Sequence, residues 1–200
     1  MSLDRAIEQS KQWMILSTTL ADGTEIPSAD RGRIAAALFQ LCAEHHQGIH
    51  TLSEHGVLGS AFALLRPQLE AYVRALWLHR CATEEQVTSF IGGREPPKIA
   101  ALLDEIGRIP DYDSESLNAT KKAVWGVLND FTHGGATQVR ARLTATEVAR
   151  NYKIEHVVGM LRWSSVLSLM GYVGIASIGG NDDLAVKLRD GFVSVYPPVK

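Results

Sequence analysis

The sequence predicts an all-α fold: one multi-helix bundle over 1–200, of about seven to eight helices, with a short extended tail at the C-terminus. Three observations carry this expectation. Apolar residues recur at helical spacing along nearly the whole chain, and alternation of period two is confined to its last few residues. Helix start and stop signals punctuate that pattern throughout. Finally, 200 residues with 46% apolar composition supply enough core for one domain, and no repeat, low-complexity run or long linker divides them.

The elements follow in order. A first helix covers about 2–20 and stops at Asp22-Gly23, where glycine tolerates the left-handed conformation that ends helices. The second runs about 28–54, with Ile34, Leu38, Leu41, Cys42 and Ile49 on its apolar face and Gly56 closing it. The third, 57–82, contains Pro67, which removes an intrahelical hydrogen bond and predicts a kink or a restart beside Arg66. Thr83 with Gln86 forms a capping box for a short helix that ends at Gly92-Gly93. Pro96-Pro97 opens the next, with Ile99, Leu102, Leu103 and Ile106 inward and Gly107 as its stop. After an acidic, turn-like 108–114 comes a helix of about 114–132 bearing Val124, Trp125, Val127, Leu128 and Phe131. Thr144 with Glu147 reads as a second capping box, starting a long helical stretch to about 178 that breaks near Asn151. Asn181 caps a final helix ending at Gly191, and FVSVYPPVK is extended.

Composition excludes several function classes. A net charge of −2 and a pI near 6.4 argue against a long polyanion as the main partner, and no strong DNA-binding signal is present. The charge is uneven, with Lys121, Lys122, Arg140, Arg142, Arg150, Lys153 and Arg162 in the basic stretch and Asp104, Glu105, Asp111, Asp113 and Glu115 just upstream. Solvated helix faces account for most of it. The first residues lack a basic region followed by an apolar run, and Cys42 and Cys81 sit inside helical patterns, as expected of free thiols in a reducing cytoplasm. WSSVLSLMGYVGIASI is uncharged but rich in serine, so it is expected to be a buried central helix rather than a membrane span. Ser164, Ser168, Gly171 and Gly174 would let a neighbouring helix approach closely.

The strongest site candidate lies on the third helix. Arg66, Glu70, Arg74 and Trp77 share one face of a helix whose other faces are also apolar, so the charges should be largely buried. Buried ions need partners, and a carboxylate between two guanidinium groups implies an internal polar site. A second candidate is LNDFTHGG, with Asn129, Thr132 and His133 at a helix end; Gln138 and Arg140 follow closely enough to line the same cavity. The helix dipole favours a protonated histidine there, although a plain C-cap explains the residue as well. A third, weaker candidate is the row His46, His50 and Glu54, one helical turn apart, which offers metal-ligand spacing but lacks a clear second ligand-bearing helix. No phosphate-cradling glycine loop, nucleophile elbow, dinucleotide fingerprint or zinc-ribbon spacing occurs, and no cofactor is implied.

Two runs, SAFALLRPQLEAYVRALWLHRCAT and LNDFTHGGATQVRAR, resemble an uncharacterised bacterial helical family, a domain of unknown function. Arg66, Glu70, Arg74 and Trp77 match the first motif, and Thr132, His133, Gly134 and Gln138 match the second. The resemblance implies a helical fold in which the two runs pair, and no particular reaction. More distantly the arrangement is similar to HEPN-like helical domains, many of which are metal-independent ribonucleases of toxin–antitoxin or phage-defence systems. Asn129 and His133 match the polar residue and the histidine of those enzymes, but Leu128 stands where their arginine does.

Two readings follow. In one, Glu70 is a strut between Arg66 and Arg74, and the chain is a binding or interaction module, homodimeric through its apolar long helix, with a possible protein partner. In the other, His133 is an acid or base on RNA and the arginines stabilise the developing charge.

Overall fold

The computed structural model describes residues 1–110 and 125–198, and all its regular elements there are helical. The chain forms α1 (Leu3–Ala21), α2 (Asp30–Glu54), α3 (Leu58–Arg80), α4 (Glu84–Ile91) and α5 (Ile99–Ile106). After them come α6, helical over 125–133, then α7 (Ala136–Arg140), α8 (Ile154–Ile178) and α9 (Asp182–Val195). The all-α expectation holds. The acidic turn beyond Pro110, the start of the helix expected from 114, and Lys121 and Lys122 lie outside the described residues.

Local chemistry sets the helix starts. The Ser2 hydroxyl accepts from the Arg5 N–H, and the Asn181 side-chain oxygen Oδ1 accepts from the Leu184 N–H. Thr83 and Gln86 form the expected capping box in full. The end of α3 is closed from a distance: Arg31, at the start of α2, donates to the carbonyls of Leu78 and Ala82 at 2.7 Å each and pairs with Glu84 at 2.6 Å. A cation there satisfies orphan carbonyls and opposes the negative end of the helix dipole.

Helix α8 is central, packing on α1, α2, α3 and α9, while α2 makes its most extensive contact with α3. It is long and apolar enough to cross a membrane by length and composition, and half of its most apolar window is buried against the other helices. Its small residues bring α2 close. A Cβ on Gly174 would lie 2.5 Å from the Phe39 ring, and one on Gly171 would lie 3.2 Å from the Phe39 carbonyl oxygen. Polar stitches join these helices inside the core. Gln68, fully buried on α3, donates to the Cys42 carbonyl at 3.2 Å and the Ser164 carbonyl at 2.9 Å. His46 Nδ1 lies 3.0 Å from Ser164 Oγ.

Four local expectations are corrected. Helix α3 runs unbroken through Pro67. Leu41 is on the exposed side of α2 rather than on its apolar face. Thr144 does accept from the N–H groups of Thr146 and Glu147, as a cap would, but its own N–H donates to the Glu147 carbonyl. That closes a tight antiparallel turn with Leu143 bridged to Val148, and the helix starts only at Ile154. Helix α9 passes through Gly191 to Val195, so the expected stop at Gly191 and the expected extended conformation of FVSV both give way to helix. Gly191 is instead a notch for α1, since a Cβ there would lie 2.8 Å from Leu16 Cδ2. Tyr196, which follows, is buried and shares a 2.8 Å hydrogen bond with Ser165.

Candidate functional site

Helix α3 presents Arg66, Glu70 and Arg74 as a row at four-residue spacing. Glu70 accepts from Arg66 Nε at 2.9 Å on one carboxylate oxygen and from Arg74 Nη2 at 2.9 Å on the other. The row is less buried than the sequence suggests: the side chains are 23%, 15% and 35% exposed in that order. The carboxylate is therefore the better-covered member, and both guanidinium groups reach solvent. Arg74 Nε, however, is buried and has no hydrogen-bond partner among the described residues.

The two sequence motifs meet at Arg66. Its Nη1 lies 2.6 Å from His133 Nε2, and its guanidinium carbon sits 5.3 Å from the centre of the Trp125 ring. Because a guanidinium only donates, Nε2 is the acceptor and the ring proton belongs on Nδ1. A second junction depends on Pro67. Lacking an N–H, proline leaves the Ala63 carbonyl one turn earlier without its intrahelical donor. The Thr132 hydroxyl, bonded at 2.8 Å to Leu128 in its own helix, lies 3.5 Å from that same oxygen.

The glycines after His133 have separate reasons. Gly134 has φ of +70°, the left-handed region that favours glycine. Gly135 has an ordinary φ, but a Cβ on it would collide with the carboxylate of Asp130. Asp130 in turn holds the next turn of chain, accepting from the Thr137 hydroxyl at 2.6 Å and the Thr137 N–H at 2.9 Å. The Thr137 hydroxyl first, and its N–H second, hold the Asp130 carboxyl below its ordinary range.

Arg66, Glu70 and Arg74 line a cleft of about 770 Å³. Trp125, Phe90 and Pro96-Pro97 form its apolar walls, and Lys98 and Glu95 stand in the same lining. Such a mixture, mainly apolar walls with a few fixed charges, suits a small ligand with an anionic group beside an apolar body. Trp125, Phe90 and Lys98 were not singled out from the sequence, since each lies far along the chain from Arg66 and carries no motif.

The remaining candidates are dispersed. Trp77 is 1% exposed and donates its indole N–H to Glu105 at 2.6 Å, fastening α5 to α3 rather than facing the cleft. Asn129 is half-buried, and its Oδ1 has no partner among the described residues. Gln138 lies beside Gly134, and Arg140 lines a different cavity, with Phe62 and Tyr152. His46 and His50 are buried, whereas Glu54 is exposed and pairs loosely with Lys11 at 3.9 Å. No cluster of three metal-ligating side chains exists among the described residues. Burial first, then the adjacent His50, pushes the His46 pKa down to about 3.

A family model described as a family of unknown function (DUF6988) matches residues 39–198, a span that includes both motifs and both faces of the cleft. Neither a curated protein nor a solved structure matches the chain.

Proposed function

The chain belongs to the family of unknown function DUF6988, and from its site we propose that it is a helical binding module whose Arg66–Glu70–Arg74 cleft takes a small anionic ligand. One observation supports the proposal: two guanidinium groups, held by a shared carboxylate, line one cleft and keep part of their surface open to it. Glu70 fixes the forks, and the ligand's anion takes the donors left over. The apolar walls would hold the rest of the ligand. Titration calorimetry with inorganic phosphate, nucleoside monophosphates and small carboxylates tests it. Saturable binding that Arg74→Ala weakens is expected, and no heat from any of these anions defeats the proposal. Homodimerisation belongs to the same reading, and light scattering of the purified chain measures it.

A second reading, metal-independent ribonuclease action, is favoured by one contact. Leu128 occupies the place of the arginine in the HEPN-like pattern and is buried, but Arg66 brings a guanidinium to His133 from another helix. In this reading a ribose 2′-hydroxyl gives its proton to His133 once Nε2 leaves Arg66, and Arg66 turns to the phosphate. His133→Ala would then fold normally and lose cleavage in a metal-free buffer. Intact RNA after incubation with the wild type would sink this second reading while leaving the binding proposal in place.

A further inference from the structure

Helix α6 separates two cavities. Trp125 faces the arginine cleft, whereas Val127, about 200° further round the helix, lines a second cavity of about 660 Å³. The floor of this second cavity is aromatic. Phe62 stacks on Phe131 with ring centres 4.5 Å apart, and Tyr152 lies 5.8 Å from Phe62 and within 11° of parallel to it. Arg140, Lys153 and His156 stand in its lining, which contains no acidic side chain among the described residues. Among the described residues Lys153 and His156 make no ion pair, and Asp130, whose carboxylate interacts electrostatically with Arg140, is committed to Thr137. The other arginines of this region are occupied: Arg150 donates to the Gly56 carbonyl at 2.8 Å, and Arg142 packs over Gly59.

From this we infer that the Phe62–Phe131–Tyr152 cavity is a second binding site, for a small amphipathic carboxylate whose apolar body lies on the aromatic floor and whose head faces Arg140 and Lys153. Its volume is that of an ordinary small-molecule pocket, and its chemistry is divided as such a ligand requires, apolar inside and cationic at the edge. A neutral apolar molecule would leave the cations unanswered. A polyanion would find too little room on the floor.

The test uses the full chain and three probes: anilinonaphthalene sulfonate as a fluorescent occupant, decanoate and decanol as competitors. Decanoate should displace the dye, with decanol weaker by about tenfold or more. V127W, at a residue nearly half exposed on the cavity wall, should block dye and decanoate together. R140E/K153E should weaken decanoate by about tenfold and leave decanol unchanged. All three positions are exposed, so melting temperatures should stay near that of the wild type; should V127W fail to fold, the charge-reversed variant decides the question alone. Equal displacement by decanol and decanoate, or decanoate binding undiminished in R140E/K153E, overturns the inference. So does a V127W chain that loses self-association in light scattering while binding decanoate like the wild type, because the cavity would then be a protein interface.

Discussion

Lowering the pH from 7 to 5 should destabilise this protein through His46. The imidazole is 1% exposed between α2 and α8, with Nδ1 against Ser164 Oγ and Nε2 without a partner among the described residues. Burial, then the charge of His50, lowers its pKa from 6.5 to about 3. A depressed histidine pKa means that the unfolded chain takes up the proton first as pH falls, so stability is complete above about 6.5 and declines below it. Between pH 6.5 and 5 only the unfolded chain binds that proton, and stability falls by about 1.4 kcal/mol per pH unit, or about 2 kcal/mol in all. His45, His50 and His79 are also lowered, mainly by burial, and add to the loss with the same sign. Asp130, held low by Thr137, contributes only below the ordinary carboxylate range. Urea denaturation at pH 7 and pH 5 reads the effect as a midpoint lower by about 1 M at the more acid pH, for a slope near ~2 kcal/mol/M. His46→Asn keeps a polar group near the Nδ1 position and removes the titration, so its stability should change less over the same interval. A wild-type midpoint that does not move, or an equal fall in His46→Asn, would refute the assignment of the proton to this site.

Other substitutions follow from the same geometry. Glu70→Ala should cost about 1–3 kcal/mol, below the 3–5 of a fully buried pair because both arginines reach solvent; a Tm equal to wild type would show that the row contributes nothing to folding. Gly174→Ala should destabilise by about 1–3 kcal/mol through the clash with the Phe39 ring, measured by chemical denaturation. Cys42, whose pKa burial pushes up to about 12, should resist a thiol reagent in the folded chain and react once denaturant exposes it. Its labelling rate in native buffer checks this directly.

How much of this was legible depended on whether a signal was complete within a few residues. The Thr83–Gln86 box contains both of its hydrogen bonds, and α4 begins where it should. Thr144–Glu147 gives half of the same signal, because a hydroxyl accepting from the third residue on serves a turn equally well. Val148, 82% exposed, offers no burial to extend a helix there. Gly191 has the composition of a stop but serves close packing on Leu16, a distinction that rests on another helix. The Arg66–Glu70–Arg74 row was readable from its spacing. Its meeting with His133 and Trp125 was not, since that depends on how α6 lies across α3. Trp77 shares the face by periodicity, yet Glu105 of α5 claims its indole.

Pro67 constrains more than its own helix. An atom missing at one position leaves an acceptor four residues earlier, and a hydroxyl far downstream in the chain lies against it. The two positions thus form one unit of inheritance. If an ordinary residue replaces the proline, the acceptor is satisfied locally and the threonine is released to vary; if the threonine is lost, the proline keeps its cost to the helix without the compensating contact. Among related chains, residues at the places of Pro67 and Thr132 are therefore expected to be gained and lost together more often than either is with its own helical neighbours, although Thr132 also bonds Leu128 within its helix.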